Sequence, residues 1–220
     1  TGSGNQIAFG LWGEQDVYDE KDYYLKEFQV TQKPYGGLTF TSVNKEKEYI
    51  RIPSKGVLNP SEGTFEIWLT LKALPVDNEN VRLIQTNISS ESERFLIYVQ
   101  SDGSVRFSIA GTSPSYKAIT SEPGLVKIGE PCYICMSWQN QRLYAYINGN
   151  LLGTAGVGTD AIIGNYFNIC ADYHEDRIPN CIVHDVRISN TRRVTGILSS
   201  NYQNKTPLEA DEYTTFKLYY

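Results

Sequence analysis

The 220-residue chain carries 20 Lys plus Arg against 25 Asp plus Glu, a net charge of −5 with no basic run, so the electrostatic footprint of a nucleic-acid-binding protein is missing. No apolar stretch approaches the ~20 residues that cross a bilayer, the N-terminus lacks a charged-then-apolar secretory pattern, and no membrane insertion is expected. Hydrophobic residues make up 40% of the chain and aromatics recur along its whole length, which is material for a sizeable core and not the composition of a disordered segment.

In chain order, Thr1-Gly2-Ser3-Gly4 reads as a linker or tag remnant. Residues 5–220 contain no internal linker or repeat and are expected to form one domain. The acidic run Glu14-Gln15-Asp16-Val17-Tyr18-Asp19-Glu20 is followed by Lys21-Asp22 and reads as a solvated charged loop. Period-two alternation then dominates. Phe65-Glu66-Ile67-Trp68-Leu69-Thr70-Leu71 has uniformly apolar odd positions, the pattern of a strand with one face in a core. Phe95 to Gln100 repeats it, and Ser101-Asp102-Gly103 leads into Val105 to Ile109, a hairpin around Asp-Gly. Arg142 to Ile147, Asn148-Gly149-Asn150 and Leu151-Leu152-Gly153 form a second hairpin, with Asn-Gly supplying the two positive φ angles of a type I′ turn. A strand over Asn165 to Cys170, another over Cys181 to Ile188 and a last one over Tyr213 to Tyr220 follow, and only Thr191 to Tyr202 has the pattern for a turn or two of helix. Many short strands separated by Gly, Asn, Asp and Pro mean a sandwich or a barrel.

The cysteines are Cys132, Cys135, Cys170 and Cys181, and their spacing does not form the paired Cys-x-x-Cys set of a zinc ribbon. Cys132 and Cys135 lie three apart in one strand and are expected on opposite faces. Buried free thiols are the expected state; a Cys170–Cys181 disulfide closing the loop between them is the alternative. His184, alternating with Ile182, Val186 and Ile188, is expected on the inward face of its strand as a hydrogen-bonded core histidine.

Tyr35-Gly36-Gly37-Leu38-Thr39-Phe40, then Tyr49-Ile50-Arg51-Ile52-Pro53, then Gly63-Thr64-Phe65-Glu66-Ile67-Trp68 resembles the opening of laminin-G-like, concanavalin A-like jelly rolls. Trp138, Leu143 to Gly149 and Asp185-Val186-Arg187-Ile188-Ser189-Asn190 are similar to that family's central hairpin and late strand, in the same order. The resemblance runs from about residue 7 to the end and implies an all-β, two-sheet antiparallel jelly-roll sandwich. Arg193-Val194-Thr195, Tyr202, Thr206-Pro207-Leu208, Asp211 and Thr214 to Leu218 resemble the ending of versions found in bacteriophage tail and prophage appendage proteins, which meet bacterial surface glycans. Calcium-binding members carry acidic residues where this chain has Thr41 and His184, so the family's calcium is not expected here. The Glu14 to Glu20 run is superficially similar to the acidic strand of laminarinase-type glucanases, but it differs in position and spacing, and no catalytic residue is assigned to it. With His174 and His184 as the available imidazoles and no Gly-x-Ser-x-Gly turn, a hydrolase triad is not expected either.

A candidate ligand site is the loop Asp172-Tyr173-His174-Glu175-Asp176-Arg177, which concentrates carboxylates, an Arg and an aromatic ring between two strands. Those groups hold a sugar by its hydroxyls and its apolar face; a solvated connection is the plainer reading. A second candidate is the non-core face bearing Tyr98, Arg106, Tyr144 and Tyr146, which could instead be covered by an N-terminal segment carrying Tyr18, Tyr23, Tyr24 and Phe28. Asn87-Ile88-Ser89 and Asn204-Lys205-Thr206 match the glycosylation pattern by chance. The expected function is a non-catalytic carbohydrate-binding or adhesion module on a cell or virion surface. Its partners would be a surface glycan or other subunits of an appendage, with no cofactor and no metal. A structural or oligomerisation domain is the alternative, and a polysaccharide hydrolase or lyase the third reading.

Overall fold

The computed structural model describes residues 8–11, 24–25, 37–41, 48–76, 79–88, 95–110, 116–157, 160–195, 198 and 208–219. The Thr1 to Gly4 linker, the Glu14 to Glu20 run, Tyr18, Tyr23, Phe28, Tyr202 and the Asn204 sequon lie outside them. The strands begin with β1 (Ala8–Leu11), β2 (Tyr24–Leu25), β3 (Leu38–Phe40), β4 (Ile50–Pro53) and β5 (Glu62–Leu71). They continue with β6 (Asn80–Thr86), β7 (Leu96–Gln100), β8 (Val105–Ala110), β9 (Tyr116–Thr120) and β10 (Pro131–Gln139). The last are β11 (Arg142–Ile147), β12 (Asn150–Gly156), β13 (Tyr166–Ile169), β14 (Cys181–Ser189) and β15 (Thr214–Tyr219). An eight-stranded sheet runs β1-β15-β14-β5-β10-β11-β12, with β3 also pairing β14, and a seven-stranded sheet runs β2-β4-β13-β6-β7-β8-β9. The observed pairings are antiparallel, giving the expected all-β sandwich.

Alternation decides which side chains meet between the sheets. Phe65, Ile67, Leu69 and Leu71 of β5 line up with Met136 and Ile134 of β10 and with Ile188, Val186 and Val183 of β14. They face Ile97, Val99, Phe107 and Phe167 of the other sheet in one buried core. Gly63 is glycine because a Cβ there would lie 2.3 Å from the Trp138 ring, which packs edge-on to Phe95. The Asn148-Gly149 turn has φ of 51° and 75°, as type I′ geometry requires, and Asn140-Gln141 makes a similar turn between β10 and β11 with φ of 51° and 59°. Asn140-Gln141 lacks glycine and was not legible as a turn. In the Thr191 to Tyr202 stretch, Leu198 N donates to Val194 O, a single helical turn among the described residues.

His184 is not a core histidine. The β14–β5 register shifts between Val183, opposite Leu69, and Asp185, opposite Trp68, so His184 is the extra residue of a bulge. The inward set is therefore Cys181, Val183, Val186 and Ile188, while His184 stands half-buried on the outer side, its Nε2 2.8 Å from Thr70 Oγ1. The four cysteines are free and buried. Cys132 faces the main core and Cys135 the opposite side, as their spacing requires.

Candidate ligand-binding face

Register places Arg51, Asn168, Gln85, Leu96 and Ser108 in one row across β4, β13, β6, β7 and β8 on the outer face of the seven-stranded sheet. Arg82, Tyr98 and Arg106 form the neighbouring row, with the Arg82 guanidinium 4.5 Å from the Tyr98 ring centre. At one end of these rows lies the Asp172 to Arg177 loop. Asn168 joins the two, accepting from Arg51 Nε at 3.2 Å and donating through Nδ2 to Asp172 O at 2.6 Å. Arg82 N donates to Arg177 O, which fastens the far end of the loop to β6.

The loop is held from behind by its own polar groups. Asp172 is buried, and its Oδ1 accepts from the amides of His174 and Asp176 at 2.9 Å each. This is a side-chain cap on a turn, the use to which Asp is best suited in a tight loop. Glu175 is taken by Arg51 Nη2 at 2.8 Å and by the Tyr49 hydroxyl. Burial of the Tyr49 phenol, helped by the neighbouring Glu175 carboxylate, pushes it up to about 12. The Arg51 guanidinium also lies 4.2 Å from the Tyr166 ring centre, so this cation is fixed by two acceptors and an aromatic face. Glu175 and Arg177 take φ of 65° and 56°, left-handed values that non-glycine residues hold only where the surroundings compel them. What remains at the surface is His174, Asp176 and Arg177, with Tyr173 half-buried and its ring centre 3.8 Å from that of His174. Arg177 bridges to Asn80 Oδ1 at 3.0 Å.

The second sequence candidate divides in two. Tyr98 and Arg106 belong to the face just described, whereas Tyr144 and Tyr146 are on β11, on the outer face of the other sheet. Alternation separates inward from outward but not one outward face from the other, so the four do not form one surface. Tyr146 is fully buried with Trp68, Tyr133 and Cys135 beneath Leu198 and Leu208. Among the described residues the cover over Tyr146 includes Leu198 and Leu208 of the C-terminal segment, the N-terminal Tyr18, Tyr23 and Phe28 expected there lie outside the described residues, and Tyr144 carries the Arg192 guanidinium 3.8 Å above its ring.

That same face holds a buried ionic cluster that sequence reasoning missed. Glu66 Oε2 accepts from Arg187 Nε at 2.6 Å, and Oε1 from Arg187 Nη2 at 2.8 Å and from the Tyr133 hydroxyl. Arg193 Nε lies 3.4 Å from Glu66 Oε2, and its Nη2 donates to Asp211 at 2.7 Å. Burial works against the Asp211 charge, but Arg193 outweighs it and holds the carboxyl at about 2. Lys217 donates to Asp185, which also accepts from Leu208 N; burial raises the Asp185 carboxyl and lowers the Lys217 ammonium. Every one of these carboxylates is spent on a cation or an amide, so the cluster fastens the C-terminal cover to the sheet. Among the described residues no group of three or more His, Cys, Asp or Glu side chains is placed to hold a metal ion.

A family model described as the concanavalin A-like lectin/glucanases superfamily matches residues 44–195. No curated protein matches the chain by sequence. Among solved structures, the binding domain of botulinum neurotoxin serotype G is similar with a TM-score of 0.63 at 14% identity, over 92% of this chain and 47% of that one. A heptameric SAP-like pentraxin from Limulus polyphemus matches at TM-score 0.52 and 16% identity, over 80% of this chain and 79% of that one. A Trypanosoma rangeli sialidase in complex with the inhibitor DANA matches at TM-score 0.59 and 13% identity, over 81% of this chain and 29% of that one. The chain therefore spans about half the length of the toxin domain, and these likenesses are of fold.

Proposed function

The chain belongs to the concanavalin A-like lectin/glucanase superfamily, and on that premise we propose that it is a non-catalytic module that binds a carbohydrate or a surface receptor. The observation that carries this reading is the construction of the Asp172 to Arg177 loop. Asp172 and Glu175 are consumed in pinning the backbone, which leaves Tyr173, His174, Asp176 and Arg177 as a fixed polar and aromatic tip. Weak saccharide binding needs such a tip, because a rigid ring and pre-placed donors and acceptors reduce the ordering cost of association. The toxin domain is itself titled a binding domain, which supports the same class of activity. On the eight-stranded face the carboxylates Glu66, Asp185 and Asp211 are engaged by Arg and Lys, so that cluster serves the fold and the ligand is assigned to the loop. We place the module on a virion or cell-surface appendage, outside the cell, on the strength of its C-terminal resemblance to phage appendage proteins.

The test is a glycan array followed by titration of any hit. Tyr173→Ala is expected to weaken binding by about 1–2 kcal/mol, some tenfold, with an unchanged melting temperature. If Tyr173→Ala binds as tightly as wild type while Tyr98→Ala folds normally and loses the ligand, the contact lies on the sheet rows instead. A structural role in the same appendage is the second reading, favoured by β12, an edge strand whose Leu151 is 45% exposed. Light scattering that finds an oligomer, with no array hit, would select it.

A further inference from the structure

Cys170 and Cys181 lie at the two roots of the 171–180 loop, one on each sheet. Cys170 follows the last residue of β13 and is tied to the seven-stranded sheet by its amide, which donates to Leu83 O at 3.0 Å. Cys181 opens β14 opposite Leu71 in the eight-stranded sheet. Both side chains are fully buried in the main core, where the two thiols are neighbours. Cys170 has φ of 62°, a left-handed conformation that aims its side chain toward the opposite sheet at the cost of backbone strain. The other thiols are poorly placed to compete. Cys135 faces the outer cluster, and Cys132 is separated from β14 by the width of β5, about 10 Å at the usual strand spacing and beyond disulfide reach.

We propose that Cys170 and Cys181 are a disulfide-forming pair that staples the two sheets at the root of the loop when the chain folds in an oxidising compartment. Each thiol gives up its proton, a sulfur–sulfur bond forms, and the two electrons reduce a disulfide oxidant, such as oxidised glutathione, to two thiols. Both sulfurs are shut away from solvent, and burial pushes the Cys170 thiol well above its ordinary range, so the folded, reduced pair is closed to an oxidant. Closure therefore belongs to folding, before the core shuts. The staple would hold both ends of the loop whatever its ligand is.

The experiment compares the full chain made in a reducing cytosol with the same chain secreted into an oxidising periplasm. The secreted protein is expected to be lighter by two hydrogens and to give one cross-linked peptide joining Cys170 to Cys181, with Cys132 and Cys135 alkylated after unfolding. It should melt several degrees higher than the cytosolic form, and reductant should remove the difference. Cys181→Ala should abolish the mass difference. Refolding the cytosolic wild type in a glutathione redox buffer gives the same readout without relying on secretion or on a variant that folds. Four alkylatable thiols after folding in either oxidising setting, or a bridge between any other pair, would overturn the proposal.

Discussion

The two outer faces of the sandwich both carry polar side chains where alternation turns strands away from the core, and they deal with that polarity differently. On the eight-stranded sheet, Glu66, Arg187 and Arg193 are almost fully buried, and each Glu66 oxygen has a guanidinium or a phenol on it. On the seven-stranded sheet, Gln85 and Ser108 are equally buried, yet the Gln85 amide and the Ser108 hydroxyl have no hydrogen-bond partner among the described residues. Burial alone thus says little about what a polar residue does. The first face pairs the buried carboxylates Glu66 and Asp185 with cations, although the Ser137 hydroxyl there also lacks a partner among the described residues, whereas the second keeps both ends of the Gln85 amide unmet beside a loop whose tip is open to solvent.

The largest effect expected from this contrast is at Glu66. Glu66→Gln removes the anion that Arg187 and Arg193 share and leaves two buried guanidiniums facing a neutral amide. Breaking a buried ion pair from one side costs about 3–5 kcal/mol, so the urea midpoint should fall steeply and the Leu198–Leu208 cover should loosen over Trp68. A loss of under about 1 kcal/mol would mean that the cluster is hydrated and that the two faces are alike.

Strand alternation made most of the inner core readable, because Phe65, Ile67, Leu69 and Leu71, or Ile97 and Val99, have one face to bury and one register that buries it. His184 escaped because a bulge adds a residue between Val183 and Asp185 and shifts the phase, a change that no residue type announces. Tyr144 and Tyr146 were grouped with Tyr98 and Arg106 because alternation does not say which sheet a strand joins. Within the site, the loop composition was legible, but the division of labour inside it was not: Asp172 reads as a ligand group until its bonds to the His174 and Asp176 amides are seen. Arg51 and Asn168 could have been found. Each is a polar residue between two core apolars, in Ile50-Arg51-Ile52 and in Phe167-Asn168-Ile169, and so marks the outer row.

A smaller effect of opposite sign is expected at Gln85. Gln85→Leu keeps the volume and removes an amide whose oxygen and nitrogen are both buried without a partner. Stability should rise by about 1–2 kcal/mol, since leaving a buried polar group unmet costs that much. The comparison with Glu66→Gln then becomes a difference of sign between two polar residues of equal burial, read from two denaturation curves. If Gln85→Leu destabilises, the amide is satisfied in solution and the seven-stranded face is as closed as the other.

The smallest effects are in the pH dependence, where each face should fail at its own end of the scale. Asp211 is held at about 2 by Arg193, below the ordinary carboxyl value of about 4. A group depressed in the folded state stabilises above its unfolded pKa and stops doing so as pH falls through its folded one. Wild type should therefore be more stable than Asp211→Asn at pH 5, with the gap closing between about pH 4 and about pH 2 as the C-terminal cover loses its tie. Tyr49 has the opposite sign. Its phenol is raised from an ordinary value near 10 to about 12, so folding favours the protonated form and that preference is lost as pH rises from about 10 to about 12. Tyr49→Phe has no proton to lose, and wild type should fall in stability relative to it over that alkaline window, as a phenolate forms beside the Glu175 carboxylate. Asp211 is 40% exposed at its side chain, so solvent screening keeps its contribution modest, and melting curves of each pair across pH are the suitable measurement. Parallel curves for wild type and Asp211→Asn below pH 4 would detach the acid window from the C-terminal cover, and parallel curves for wild type and Tyr49→Phe above pH 10 would detach the alkaline window from the loop.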